Sequence, residues 1–221
     1  MRVTIETVID ESTTEQFLEL YRAAFDPLEG LAAGRQALTD DEFREEMRLE
    51  TVLKFIGWDR RGRPVAMVVI ATDLDVVPWV SPRFWRERYP EQAARNAIYY
   101  FGALLVSPTV RGGPWAHRML SETVKFTARN HAVAAFDCCA FNVQTVQLPK
   151  MIAAVAESLS FVETEKVDEQ VYYAYVTHGL REPEVAGIAE IDLREPAPAP
   201  EAPLAAEAPA VPDASLGSTT P

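Results

Sequence analysis

The sequence predicts an α/β fold in which strands and helices share one core. Two nearly all-apolar runs, residues 98–106 and 133–140, have the composition of strands buried on both faces. Between them, residues 115–129 place Ala116, Leu120 and Val124 on one helical face, with Met119 beside Leu120. At 221 residues and 48% hydrophobic composition, the chain is long enough to bury one full core and need not hold two domains.

The elements follow in order. Residues 3–9 alternate apolar and polar, the pattern of a half-buried strand. Ser12-Thr13-Thr14-Glu15 reads as a capping box, and Phe17, Leu20, Tyr21, Ala24 and Phe25 then line one helical face up to Pro27. A second box, Thr39-Asp40-Asp41-Glu42, opens a shorter helix carrying Phe43 and Met47. Residues 52–58 and 65–72 read as strands joined by a hairpin loop at residues 59–63. An insert rich in proline and aromatic residues (Pro78, Trp79, Pro82, Phe84, Trp85, Tyr89, Pro90) fills residues 73–95. After the helix at 115–129, Asn130 suits the left-handed position that ends helices. Pro149 suits the first turn of a helix with Ile152, Val155, Ala156 and Leu159 on its apolar face. Residues 161–165 and 171–177 are expected to close the core as two further strands. The order is β-α-α-β-β-(insert)-β-α-β-α-β-β.

The rest of the chain differs in kind. Between Arg181 and Pro221 there are eight acidic and two basic residues, so this stretch supplies half of the net charge of −12. Its Pro/Ala/Glu composition offers little apolar bulk to offset ordering entropy. The expected organisation is a folded domain over residues 1–180 and a disordered acidic tail over 181–221.

Composition also narrows function. The acidic balance and the absence of a Lys/Arg stripe argue against a nucleic-acid partner. His117, His131 and His178 are scattered, so no zinc-type spacing exists and no metal is expected. Cys138 and Cys139 are neighbours in an apolar run, where adjacent strand residues face opposite ways, so they are expected as reduced thiols. The first residues lack the apolar stretch of a signal peptide, and no run approaches bilayer length. A cytoplasmic protein without a membrane partner is the expectation.

The most specific stretch is Leu104-Leu105-Val106-Ser107-Pro108-Thr109-Val110-Arg111-Gly112-Gly113-Pro114-Trp115-Ala116, an apolar strand, a turn, an Arg-Gly-Gly loop and a helix start. Backbone N–H groups at such a helix start favour a phosphate. Leu104, Val106, Pro108, Arg111, Gly112, Ala116 and Leu120 resemble the acyl-CoA signature of the GNAT superfamily of N-acyltransferases. Pro114 departs from it, standing where the family usually has glycine and removing one N–H.

The resemblance implies a mixed, mostly antiparallel central sheet flanked by helices, over roughly residues 1–178. It implies acetyl-CoA or another acyl-CoA as co-substrate, and direct attack by an amine without a covalent enzyme intermediate. Arg111, Gly112, Gly113, Trp115 and Ala116 would cradle the pyrophosphate. The backbone of Leu104, Leu105 and Val106 would receive the pantetheine arm and polarise the thioester carbonyl where the fourth and fifth strands part. Asn142 falls where family members often carry an asparagine on the cofactor arm, and equally where a turn cap would sit.

For acid–base work, Tyr100 occupies the base position by analogy, and Asp137 and Cys139 are substitutes by position for an acid usually provided by a tyrosine that this chain lacks. Trp79, Phe84, Trp85 and Tyr89 would either roof an acceptor pocket or cover a sheet edge or homodimer contact. The acceptor would be a small-molecule or protein amine. Two alternatives stay open: a non-catalytic module binding CoA or a protein, and a transferase whose donor is an acyl carrier protein.

Overall fold

A computed structural model of the chain describes residues 2–176. The strands are β1 (Arg2–Glu6), β2 (Val52–Trp58), β3 (Pro64–Ala71), β4 (Ile98–Val106) and β5 (Val133–Ala135); the helices are α1 (Glu11–Phe25), α2 (Asp40–Arg48), α3 (Pro82–Arg88), α4 (Pro90–Ala94), α5 (Trp115–Arg129) and α6 (Leu148–Leu159). The five strands lie side by side in chain order, antiparallel from β1 to β4, with β5 parallel to β4. This is the mixed, mostly antiparallel sheet flanked by helices that the sequence predicts.

Strand periodicity divides the core between two faces. On one face, Val52 and Ile56 of β2 and Met67 and Val69 of β3 pack with Phe17, Leu18 and Tyr21 of α1 and Phe43 and Met47 of α2. On the other, Phe55, Val68 and Ile70 pack with Trp115 and Met119 of α5. Gly57 lets α5 approach the sheet: a Cβ there would lie 2.6 Å from Trp115 Cζ3 and 3.1 Å from Met119 Sδ. The start of α5 is therefore seated on β2 through Trp115.

Local cues set several boundaries. The Thr39–Glu42 capping box is formed, with Glu42 Oε2 accepting from Thr39 N at 2.7 Å and Thr39 Oγ1 from Glu42 N at 3.3 Å. The expected box at Ser12 is not used. Asp10 caps α1 instead, accepting from Thr13 N at 3.0 Å, so the helix begins earlier. Asn130 has φ −90° and His131 takes the left-handed turn after α5. The insert folds into two short helices, α3 and α4, each begun by a proline.

Two larger expectations are corrected. The fifth strand ends at Ala135, and residues 136–139 leave the ladder. Residues 161–165 and 171–176 form no strand; Phe161 is fully exposed, and Glu165 pairs with Arg88 and Tyr89 of the insert. β-branched and aromatic residues favour extended backbone, but a ladder also needs a partner edge, and β5 offers only three residues. The described residues up to Tyr172 form one compact unit. Thr177 and the expected tail at 181–221 lie outside the described residues. No helix among the described residues is long and apolar enough to cross a membrane.

Candidate functional site

The site begins where two strands part. β4 and β5 pair only at Ile98–Val133, Tyr99–Ala134 and Tyr100–Ala135. On its other side β4 stays paired with β3 as far as Val106 opposite Ala66. Among the described residues, the edge of β4 from Phe101 to Val106 that faces away from β3 has no strand partner. Leu104, Leu105 and Val106 thus keep main-chain groups free for a ligand that can extend the sheet. Their side chains serve packing: Leu105 is buried among the α1–α2 core residues, and Leu104 packs on Leu120, Val124 and Val155.

The loop below this opening is tightly turned. Val110 N donates to Ser107 O at 3.0 Å, Arg111 N to Pro108 O at 3.3 Å and Gly113 N to Val110 O at 3.2 Å. Gly112 has φ +81°, a conformation that favours glycine. A Cβ on Gly113 would sit 3.1 Å from Val110 O, so the turn itself resists a side chain there.

Pro114 is the N-cap of α5 with φ −77°, and the first intrahelical bond runs from Arg118 N to Pro114 O at 2.9 Å. No side chain caps this end. The N–H groups of Trp115, Ala116 and His117 therefore lack an intrahelical acceptor, and Pro114 removes a fourth donor. Arg111, Gly112 and Gly113 are exposed beside them. An exposed set of backbone donors, with Arg111 three residues before Pro114, can bind a phosphate group. Trp115 enters this set only through its N–H, because its indole is buried against β2 and β3.

Across the parting of the strands runs a polar chain. Trp79 Nε1 donates to the Tyr100 hydroxyl at 3.1 Å, and that hydroxyl donates to Asp137 Oδ1. Burial, followed by the neighbouring Asp137 charge, pushes the Tyr100 hydroxyl far above its ordinary range. Tyr100 therefore stays protonated and works as a donor, not as a base. Trp79 is half exposed, and its ring meets Tyr100 edge-on at 6.4 Å between centroids. Trp85 stacks on Tyr89 and Phe84 lies edge-on to Trp85, and Trp85 and Tyr89 pack against the α1–α2 core.

The remaining sequence candidates lie after β5. Cys139 is half-buried, with its carbonyl accepting from Val143 N at 3.1 Å. Burial pushes the neighbouring Cys138 thiol up. Asn142 opens a π-helical turn, Asn142–Val146, and its carbonyl accepts from Gln147 N. Among the described residues, its side chain makes no hydrogen bond. The structure brings Tyr100 and Asp137 together; it records no bond between Cys139 and either of them.

Two buried charges escaped the sequence reading. Lys54 on β2 is fully buried, donating from Nζ to Thr7 O and Leu49 O at 2.8 Å each. Burial lowers its pKa to about 8. Glu46 on α2 is partly buried, and burial raises its pKa to about 7, with the Lys54 charge opposing. The signal was present. Phe43, Glu46 and Met47 share one helical face, and Lys54 alternates in phase with Val52 and Ile56.

No family model matches the chain, and no curated protein matches it. Solved structures similar in chain path include a tetramutant of the BH1408 protein from Bacillus halodurans, 16% identical, covering 78% of this chain and 100% of that one with a TM-score of 0.48. Aminoglycoside acetyltransferase AAC(6')-Iy with a CoA bisubstrate analogue is 12% identical, over 80% of this chain and 100% of that one, at 0.46. Aminoglycoside 6'-N-acetyltransferase AAC(6')-IG from Acinetobacter haemolyticus is 16% identical, over 80% and 99%, at 0.42. What the site does rests on its own residues.

Proposed function

We propose that this protein is an N-acyltransferase that moves an acyl group from an acyl-CoA thioester to an amine by direct attack. The observation that carries the reading is the parting of β4 from β5 beside an uncapped helix start. An acyl pantetheine arm would lie along the free edge of β4, its amides pairing with the backbone of Phe101–Val106. The pyrophosphate would sit on the N–H groups of Trp115, Ala116 and His117, with Arg111 at the rim. A main-chain N–H of Leu104–Val106 would polarise the thioester carbonyl as negative charge develops on its oxygen. The Trp79–Tyr100–Asp137 chain would hold one wall of the cleft. The resemblance in the strand–loop–helix motif supports the same reading.

A carrier-protein donor is the second reading, favoured by Pro114, which withholds one donor from the phosphate site. Thermal unfolding with acetyl-CoA, free CoA and an acyl-pantetheine lacking the nucleotide separates the two. A ligand that binds only the native state raises the melting temperature by mass action. The CoA reading requires CoA and acetyl-CoA to stabilise the protein more than the acyl-pantetheine does. Equal stabilisation by all three favours the carrier reading, and none by any of them overturns both.

A further inference from the structure

β4 carries a bulge at Gly102: Val69 pairs with Ala103 and Ile70 with Phe101, leaving Gly102 between them. Bulges of this kind re-aim a strand beside a site. Gly102 is exposed, and a Cβ built on it would lie 3.6 Å from Glu46 Oε1 and 3.8 Å from Val69 Cγ1. Val69 and Tyr100 belong to the α1–α2 core, so the bulge turns towards the face that carries Tyr100. Glu46 of α2 thus reaches the strand two residues beyond Tyr100, where β4 has just lost β5.

Among the described residues, the Glu46 carboxylate accepts no hydrogen bond and forms no ion pair. The titratable groups that its charge influences are Lys54 of β2 and the Tyr21 hydroxyl of α1. Lys54 Nζ donates to the carbonyls of Thr7 and Leu49, the Tyr21 hydroxyl accepts from Leu38 N, and neither donates to Glu46, whose Oε1 lies beside Gly102 of β4. Among the described residues no buried side-chain polar atom lacks a partner, so the unbonded Glu46 oxygens are open to solvent or to a ligand entering from it.

We propose that Glu46 receives the acceptor amine at the Gly102 bulge and takes its proton, the acceptor being a primary amine on an apolar or aromatic body. This rests on the acyltransferase reading above. The exposed Trp79 ring beside Tyr100 offers the apolar surface for such a body, and an aromatic face also attracts an ammonium group. In the step, R–NH3⁺ gives one proton to the Glu46 carboxylate. The neutral amine attacks the thioester carbon, the C–N bond forms and the C–S bond breaks. The second amine proton passes to the thiolate, and Glu46 returns its proton to water. A carboxyl titrating near 7 is far better matched to an amine near about 10 than an ordinary carboxylate is.

The test uses the full chain, acetyl-CoA and phenethylamine. Carbon-detected NMR of 13C-labelled glutamate, with Glu46 assigned by loss of its signal in Glu46→Gln, follows its titration with and without the amine. Phenethylammonium should lower the midpoint by at least one pH unit and bind at least tenfold more weakly to Glu46→Gln. In turnover, Glu46→Gln should lower kcat at least about 100-fold with CoA affinity unchanged, and Glu46→Ala should be partly rescued by formate. An unmoved midpoint with intact CoA binding overturns the role of Glu46 and leaves the acyltransferase reading standing. Loss of CoA binding in the wild-type protein overturns that reading, while a shifted midpoint would still mark Glu46 as an amine site. Should Glu46→Gln fail to fold, the wild-type midpoint decides, resolved against Glu46→Asp.

Discussion

Replacing Glu46 by glutamine should make the protein more stable at neutral pH, and the size of the gain follows from its titration. Burial raises the carboxyl from its ordinary 4.5 to about 7. Between those values the native state keeps a proton that the unfolded chain has released, so wild-type stability falls as pH rises through the window. The full difference corresponds to roughly 3 kcal/mol above pH 7, and about 2 kcal/mol of it develops between pH 5 and pH 7. Glutamine cannot ionise and is nearly isosteric. Urea unfolding of both proteins at pH 5, 6, 6.5 and 7 gives the comparison, on the acid side of Lys54, whose pKa of about 8 the Glu46 charge helps to raise. The curves should diverge with rising pH, with Glu46→Gln the more stable. Parallel curves would refute the claim that this carboxylate is held in a desolvating place, and with it the idea that stability is given up there for chemistry.

Other perturbations reach the same site from different directions. Gly57→Ala should cost about 1–3 kcal/mol by overpacking against Trp115 and Met119, and should weaken CoA binding because it shifts the start of α5; chemical denaturation and calorimetry read the two effects. Pro114→Gly should tighten CoA binding by restoring an N–H to the phosphate site, a bond worth roughly 1.5–3 kcal/mol, while lowering stability through added chain entropy; a calorimetric titration that shows no gain favours the carrier-protein donor. Tyr100→Phe should leave Trp79 Nε1 and Asp137 without their shared partner, lowering turnover without moving the alkaline pH limit, because the Tyr100 proton does not leave in the working range.

How far the sequence could be read depended on whether the deciding interaction was local. The Thr39 box, the hairpin at residues 59–63 and the helix led by Pro149 rest on contacts within a few residues, and the structure contains them. The choice of Asp10 over Ser12 as a cap is also local, but two competent acceptors lie side by side and the sequence does not rank them. The parting of β4 from β5 was legible because two apolar runs flank a phosphate-type loop. The bulge at Gly102 was not, since only its register against β3 reveals it. Glu46 was legible in part: it shares a helical face with Phe43 and Met47, but its place beside Gly102 of β4 is a long-range contact that the sequence does not show. The apolar and aromatic run at residues 171–176 has the composition of a strand but lacks an edge to join.

The central claim is that an acyl-CoA lies along the free edge of β4 with its phosphates at the start of α5. Backbone amide NMR of the full chain, titrated with CoA and then acetyl-CoA, tests it most directly. The account predicts that shift changes and added exchange protection concentrate at Phe101–Val106 and at Gly112, Trp115, Ala116 and His117, and that Gly113→Val abolishes them in a folded protein. Saturable binding whose shifts fall elsewhere, or no binding at millimolar CoA, would contradict it.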